Sequence, residues 1–245
     1  MQKKSAEIPT ILNMPLITLA VNNGEIPTQL SGNFELKNVI YNNSFMRSSI
    51  RIACSGDNCD FIAKVLNHGN MPIYNKPFTF KDVAVNELVI TKKMSEIGIG
   101  PKVYDIAMSE TQGVIIMEKY DGTLTDLLHK YQKDKTVPVD QAIEKVRNLL
   151  GIMHENGIVH RDLSTSNILY KTDGSIALAD FGFSVFSTDE SLRFGDREYL
   201  RGILETLDRI RKGEHFSRFH IMEASLRFPP IATVLFNGVE TSDWL

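Results

Sequence analysis

Two short apolar segments, with polar residues at their outer ends, constrain the fold of this chain most strongly. Residues 168–170 and 176–179 are apolar and are joined by a turn that contains Asp-Gly, a strong signal for a β-hairpin. In an antiparallel hairpin the start of the first strand lies beside the end of the second. Because Asn167 precedes the first strand and Asp180 follows the second, the sequence predicts that these two oxygen ligands lie together. Such a pair suits a hard cation such as Mg²⁺.

A third polar side chain lies on the loop that leads into the same hairpin. Asp162 comes five residues before Asn167. From that position its carboxylate can face the same site, where it can act as a general base.

A single cation interrupts an earlier apolar strand. Lys64 lies within residues 61–66, and an unpaired buried ammonium is costly. On the following helix, Glu87 lies on the apolar stripe at helical spacing from its neighbours. We therefore predict that Lys64 and Glu87 pair with each other and leave the ammonium near an anionic ligand. The alternative is that each side chain reaches solvent independently.

Hydrophobic periodicity divides the chain into a strand-rich first half and a helix-rich second half. Short apolar runs predict strands and longer stripes predict helices. The predicted strands are 49–53, 61–66, 102–107 and 113–118, and the predicted helices are 82–97, with Asp82 as its N-cap, 140–156 and one near 196–211. We expect an N-terminal arm over 1–33, a small lobe of sheet plus one helix over 34–120, and a minimal helical lobe over 121–245.

Taken together, these residues resemble the signature set of the protein kinase superfamily. Order and spacing agree from about residue 64 to residue 205. The matching elements are the strand lysine Lys64, the helix glutamate Glu87, the catalytic loop His160-Arg161-Asp162 with Asn167, and the metal-binding triplet Asp180-Phe181-Gly182. The resemblance implies an α+β, bilobal protein-kinase-like fold, with a small antiparallel-sheet N-lobe and a reduced helical C-lobe.

The resemblance also implies ATP and Mg²⁺ as cofactors and a role for each signature residue. Lys64, held by Glu87, would contact the α- and β-phosphates. Asp180 and Asn167 would hold Mg²⁺, and Asp162 would orient the substrate hydroxyl and accept its proton.

The same resemblance implies an adenine pocket between the lobes. Met117 resembles the residue at the back of that pocket. Glu118 and Tyr120 would offer backbone groups to the adenine edge, and Ala63 and Leu169 would enclose the base.

Two departures set this chain apart from conventional Ser/Thr kinases. Tyr41, Asn43 and Met46 stand where the glycines of the phosphate loop are expected, and side chains there restrict close approach of the backbone to the phosphates. Ser164 stands where Ser/Thr kinases usually carry a lysine. Residues 162–167 look more like the small atypical kinases, namely the KEOPS-complex kinase and the RIO group. The minimal helical lobe resembles that of kinases of large DNA viruses.

The segment after the metal-binding triplet is short. Residues 183–195 separate it from Asp196, so we predict that activity requires no activating phosphorylation. Asp196 resembles the aspartate of the central helix that supports the backbone of the catalytic loop. The alternative is a surface aspartate that caps a helix.

Charge and cysteine content bound the partners and the compartment. The net charge is −3, without a long run of one sign, so neither nucleic acid nor a membrane surface is an expected partner. Cys54 and Cys59 flank a predicted four-residue hairpin loop. A disulfide is conceivable there, but we predict reduced thiols and an intracellular, cytoplasmic protein, with a nuclear location as a possibility.

We expect an ATP-dependent protein kinase that transfers the γ-phosphate of Mg-ATP to serine or threonine hydroxyls of a protein substrate. One alternative is a pseudokinase scaffold that lacks turnover because the glycine-rich loop is absent. The other is a KEOPS-like ATPase or a small-molecule kinase. Fold resemblance alone does not choose among the three, because function belongs to the site.

Overall fold

The computed structural model describes residues 26–44, 47–68 and 79–215. The strands and helices, in chain order, are β1 (Glu35–Asn43), β2 (Ser48–Ser55), β3 (Asn58–Asn67), α1 (Phe80–Glu96), β4 (Val103–Met108), β5 (Gln112–Glu118), β6 (Gly122–Thr123), α2 (Leu124–Lys133), α3 (Val139–Glu155), β7 (Ile158–Val159), β8 (Ile168–Tyr170), β9 (Ile176–Leu178), β10 (Val185–Phe186) and α4 (Glu190–Arg211). Most of the predicted arm and residues 216–245 of the predicted helical lobe lie outside the described residues.

The first part of the chain forms a five-stranded sheet with the strand order β1-β2-β3-β5-β4. Every neighbouring pair is antiparallel. Side chains alternate between the two faces of a strand, and β3 shows this clearly. Ile62 and Leu66 pack with Leu88 on the face that α1 covers. Ala63 packs on the opposite face, together with Ala53.

Helix α1 begins two residues earlier than the sequence predicted. Thr79 is the N-cap, and its hydroxyl accepts a hydrogen bond from the Asp82 amide at 3.2 Å. The Asp82 carboxylate accepts one in return from the Thr79 amide at 2.6 Å. The prediction that Asp82 caps the helix was therefore wrong, because Asp82 is the third helical residue of a capping box.

The described part of the predicted arm lies against the sheet. The Asp105 carboxylate on β4 accepts hydrogen bonds from the Gly32 amide at 2.8 Å and the Ser31 hydroxyl at 3.1 Å. Ile26 packs on the face of the sheet that α1 covers, whereas Phe34 packs on the opposite face. This segment therefore crosses the β4 edge and covers apolar surface on both sides of the sheet.

A second core involves α2, α3, α4 and the β8–β9 hairpin, and it also includes Ile90 and Met94 of α1. Leu128, Met153, Ile168 and Leu207 are fully buried there. Helix α3 agrees with the predicted range to within one residue at each end. Helix α4 begins at Glu190, because Asp189 accepts a hydrogen bond from the Ser191 amide at 2.8 Å. In the described part of the chain, no helix is both long enough and apolar enough to cross a membrane.

The structure contradicts the prediction of reduced cysteines. Cys54 and Cys59 form a disulfide across the β2–β3 hairpin. Strand pairing places Ser55 opposite Asn58, so the two cysteines are the next residues outward on adjacent strands. The reduced state was inferred from an assumed compartment, whereas the local strand register favours the bond.

Candidate functional site

The predicted pair of Lys64 and Glu87 is confirmed and includes a third member. Lys64 Nζ lies 2.7 Å from Glu87 Oε1 and 2.9 Å from Asp180 Oδ1. The side chains of Lys64 and Glu87 are 9% and 4% exposed, whereas that of Asp180 is 45% exposed. A buried ion pair thus holds one partly exposed carboxylate.

Burial and charge act in opposite directions on these three groups. Burial by itself lowers the pKa of Lys64, but the Asp180 and Glu87 carboxylates outweigh it and raise that pKa. Burial raises the pKa of Glu87 to about 7, although Lys64 opposes the shift. Burial also acts to raise the pKa of Asp180, but Lys64 outweighs it and holds that pKa below the usual value. Asp180 therefore carries the negative charge on the partly exposed side of this group.

The predicted β8–β9 hairpin is also confirmed. Its strands pair antiparallel, with Ile168 opposite Leu178. At the open end of the hairpin, the Ala179 amide donates a hydrogen bond to the Asn167 carbonyl at 2.8 Å. Asn167 immediately precedes β8 and Asp180 comes two residues after β9, so both lie at the open end of the hairpin.

The donor set fits a hard cation that takes few protein ligands. The Asn167 side-chain amide donates hydrogen bonds to the Asp162 carbonyl at 2.8 Å and to the Asp162 carboxylate at 3.2 Å. This orientation turns Asn167 Oδ1 away from Asp162, so the oxygen can serve as a ligand. Among the described residues, no group of three or more His, Cys, Asp or Glu side chains is arranged for a metal ion. Mg²⁺ needs no such group, since it keeps water and phosphate oxygens in its shell.

Asp162 lies beside this pair in a setting that favours uptake of a proton. Burial raises the pKa of Asp162 well above its usual value, and the charge of Asp180 raises it further. The hydrogen bond from Asn167 opposes the shift. A carboxylate in this setting holds a proton more readily than an exposed aspartate does.

Two residues of the site have left-handed backbone conformations. The φ angles are +66° at Arg161 and +64° at Asp180, which costs side-chain-bearing residues about 1–2 kcal/mol each. Asp196 supports the first of them, because its carboxylate accepts hydrogen bonds from the His160 amide at 2.8 Å and the Arg161 amide at 2.9 Å. Asp196 is 3% exposed. The prediction that it supports the catalytic-loop backbone is confirmed, and the surface-cap alternative is excluded.

A second support of the loop was not predicted. The Thr125 hydroxyl, on the first turn of α2, donates a hydrogen bond to the Thr165 hydroxyl at 2.7 Å. The Thr125 amide also donates to the Thr165 carbonyl at 3.2 Å. Nothing in the local sequence pattern signals this contact between residues that are 40 positions apart.

The structure corrects one residue of the predicted adenine pocket. Ala63 is fully buried on the face of the sheet that points away from Lys64, so the prediction that Ala63 encloses the base was wrong. Ile62 lies on the face of Lys64 and pairs with Met117. Strand alternation was the signal that could have identified Ile62, because positions two apart share a face. Leu169 is half-buried between two buried neighbours and faces away from the helical core.

The segment that joins β5 to β6 contacts the β8–β9 hairpin, and we call this contact the clamp. The Lys171 ammonium forms an ion pair with the Glu118 carboxylate and lies 5.1 Å from the centre of the Tyr120 ring. The Asp121 amide donates a hydrogen bond to the Tyr170 carbonyl at 3.0 Å. The Glu118 amide donates to the Lys102 carbonyl at 2.8 Å, so this amide is already engaged within the protein. Lys171 was not predicted from the sequence.

The position of the expected glycine-rich loop carries side chains on the paired strands β1 and β2, whose register shifts between Val39 and Tyr41. Tyr41 and Asn43 belong to β1, where they pair with Ile50 and Ser48 of β2. Tyr41 is 58% exposed. Met46 lies outside the described residues.

Comparison with known proteins agrees with this geometry. Residues 48–201 match the family model of the protein kinase domain. This match covers more than half of the chain, which therefore belongs to the protein kinase family. The α+β kinase fold expected from the sequence is confirmed.

Several curated relatives match parts of the chain. The serine/threonine-protein kinase PknB of Mycobacterium leprae is 38% identical over 90 residues, which is 34% of this chain and 14% of that protein. The KEOPS complex subunit Bud32 of Pyrococcus abyssi is 29% identical over 128 residues, which is 51% of this chain and 56% of that protein. A probable PknB of Lactococcus lactis is 33% identical over 105 residues, 39% of this chain and 16% of that protein. This chain thus spans only part of the length of each of these three.

Proposed function

We propose that this protein transfers the γ-phosphate of ATP, bound with Mg²⁺, to a serine or threonine hydroxyl of a protein substrate. The observation that carries the proposal is the convergence of Lys64, Glu87 and Asp180 beside Asn167 and Asp162. Catalysis of this reaction depends mainly on positioning and on neutralisation of charge.

Each of these residues has a role in the proposed reaction. Lys64, kept charged by its two carboxylates, binds phosphate oxygens of the nucleotide. Asp180 and Asn167 Oδ1 hold Mg²⁺, which when bound neutralises charge on the phosphates. Asp162 orients the substrate hydroxyl and takes its proton as the new oxygen–phosphorus bond forms and the bond to the β-phosphate breaks.

The remaining predicted residues bind the nucleotide base. Met117 closes the back of the pocket, and Ile62 replaces Ala63 as its wall on the side of the sheet. Leu169 forms the opposite wall, and backbone groups of Glu118 and Tyr120 meet the adenine edge. The intracellular, cytoplasmic location, the lack of nucleic-acid or membrane partners and the domain bounds stay predictions.

Two observations favour a second candidate function. The match to the KEOPS subunit covers about half of this chain, and Ser164 stands where a kinase lysine is expected. An ATPase of that kind would use the same residues but pass the phosphate to water. Side chains at Tyr41 and Asn43 favour the pseudokinase scaffold instead.

Transfer of labelled phosphate from Mg-ATP tests the proposal, with autophosphorylation and generic protein substrates as acceptors. The wild-type protein should label protein at serine or threonine. Asp162→Asn should lower kcat by about 10²–10⁴-fold, the usual contribution of a general base, and Asp180→Asn should abolish transfer. Asp173→Asn is the matched control, since this aspartate lies in the turn of the same hairpin and binds the Ser175 amide.

The assay also separates the alternatives. Release of free phosphate without labelled protein would favour the ATPase. Nucleotide binding without turnover, unaffected by either site substitution, would favour the scaffold. Each of these results contradicts the proposed kinase activity.

A further inference from the structure

A buried amide on α1 contacts the segment that carries the metal-binding triplet. Asn86 is fully buried. Its side-chain nitrogen donates hydrogen bonds to the Gly182 and Ser184 carbonyls, both at 2.9 Å, and lies 3.3 Å from the Phe181 carbonyl. An amide group has two hydrogens to donate, so the two short bonds use both and the third contact shares one of them.

These hydrogen bonds hold residues 181–184 in place because breaking them leaves buried carbonyls without a partner. A buried carbonyl that loses its hydrogen bond costs about 1–3 kcal/mol. Ser184 is fully buried as well, so water does not reach its carbonyl in this arrangement. A movement of residues 181–184 away from α1 would therefore break two or three bonds together.

The same segment lies against α1 without room for a side chain. A Cβ atom added to Gly182 would lie 2.9 Å from Glu87 Oε2 and 3.0 Å from Val83 Cγ1. Asn86 and Glu87 are neighbours on α1, and they act on two parts of one site. Glu87 holds Lys64, whereas Asn86 holds the backbone that follows Asp180.

The catalytic loop holds the segment from the other side. The Ser184 hydroxyl donates a hydrogen bond to the His160 carbonyl at 3.1 Å. The next residue, Val185, pairs with Val159 in a two-stranded ladder, and α4 begins soon afterwards at Glu190. The segment is therefore short and anchored at both ends.

We propose that Asn86 is a positioning residue that keeps the metal-binding triplet in its working place against α1, so that the site is assembled without phosphorylation of the chain. This inference rests on the proposed kinase function for its effect on rate. The hydrogen bonds of Asn86 are a property of the folded chain, and hydrogen exchange measures them independently of catalysis.

Asn86→Leu is the main test, because leucine has a similar size and no donor. Thr91→Val is the matched control. Thr91 is also a buried polar residue of α1, is 3% exposed, and its hydroxyl has no hydrogen-bond partner in the described part of the structure. Asn86→Ser is a second variant, to be used if the leucine variant does not fold.

Three measurements test the role of Asn86. We expect Asn86→Leu to lower kcat by about 10–100-fold, the scale of a misplacement of about 1 Å, with the KM for ATP within about threefold. The Mg²⁺ concentration for half-maximal rate should rise. Hydrogen exchange at the Ser184 amide, which bonds the Phe181 carbonyl at 3.0 Å, should become at least about tenfold faster. Thr91→Val should leave all three unchanged.

The outcomes separate this inference from the kinase function. If the wild type transfers phosphate and a folded Asn86 variant keeps both its kcat and its slow exchange, the inference is wrong and the kinase function stands. If the wild type transfers nothing, the kinase function is wrong and the exchange rates still decide whether Asn86 holds the segment. Loss of all transfer after phosphatase treatment of the wild type would overturn the claim that the site assembles without phosphorylation.

Discussion

Two regions of the molecule, which we call the floor and the roof, are built in contrasting ways. The floor consists of the catalytic loop and the segment 180–184, and its backbone is held by buried side chains such as Asp196 and Asn86. The roof is the β1–β2 hairpin, where Val39, Ile40 and Tyr41 are 49%, 57% and 58% exposed. The residues to which we assign the proposed chemistry therefore lie in the region whose backbone is held by buried polar bonds.

The contrast suggests why the roof departs from the family pattern and the floor does not. In the proposed reaction a side chain such as Asp162 works only in one orientation, and the buried bonds around it fix that orientation. The roof contributes backbone and surface rather than a reacting group. Tyr41 and Asn43 can therefore replace glycines with a moderate effect on nucleotide affinity. A substitution in the floor should have a larger effect on stability or on catalysis.

The largest effect should come from removal of the carboxylate beneath the floor. Asp196→Ala leaves the buried amides of His160 and Arg161 without their acceptor, and two such losses should lower the free energy of unfolding by about 3–5 kcal/mol. Urea denaturation measures this change. Asp208→Ala is the control, because Asp208 lies on the exposed face of α4 and pairs only with Arg211 among the contacts seen. Equal effects of the two substitutions would contradict the comparison.

A smaller effect on the free energy of unfolding should come from His160, and it depends on pH. Burial lowers the pKa of His160 below its usual 6.5, so the folded protein binds this proton less readily than the unfolded chain does. The stabilisation from neutral His160 is complete above about pH 6.5 and is lost as the pH falls toward the lowered pKa, by at most about 1.4 kcal/mol per pH unit.

Denaturation at pH 7.5 and at pH 5.5 checks this expectation. Glu87 and Asp162, whose pKa values are raised, act in the opposite direction over this range, so the comparison with a variant isolates His160. The difference in free energy of unfolding between the wild type and His160→Gln should shrink as the pH falls from 7.5 to 5.5. Identical slopes in the two proteins would show that His160 is not the source of the acid sensitivity.

A weaker effect is expected at the clamp between roof and floor. Lys171→Met removes the ion pair with Glu118 and the contact with the Tyr120 ring. Because the pair is partly exposed, the loss should be about threefold to fivefold in nucleotide affinity. Calorimetric titration with ATP measures it, and Lys145→Met, which loses only a hydrogen bond to the Gly174 carbonyl among the contacts seen, is the control. Equal affinities in the two variants would show that the clamp does not contribute to nucleotide binding.

The smallest effect should come from the roof itself. Tyr41→Gly should change the free energy of unfolding by no more than about 1 kcal/mol, the usual cost of glycine in a strand, because the side chain is mostly exposed. Nucleotide affinity should change by less than about threefold. A loss of affinity larger than that of Lys171→Met would contradict the expected order, and the comparison would fail.

Much of the floor could be predicted from sequence because its signals are local. Asp-Gly in a turn between two apolar runs predicts a hairpin, and the hairpin brings Asn167 and Asp180 together. A lysine inside an apolar strand requires an anionic partner, which is Glu87. The error at Ala63 was avoidable, since strand alternation places Ile62 and not Ala63 on the face of Lys64.

Other features depended on contacts between distant parts of the chain. The sequence by itself determined which groups could do the chemistry and which short elements carry them, because hydrophobic period and turn residues act over a few positions. Only the tertiary structure decided that Asn86 bonds the 182 and 184 carbonyls, that Thr125 bonds Thr165 and that Lys171 meets Glu118. These side chains carry no distinctive pattern, and their partners are set by the packing of helices and sheets whose contacts join residues 40 to 98 positions apart.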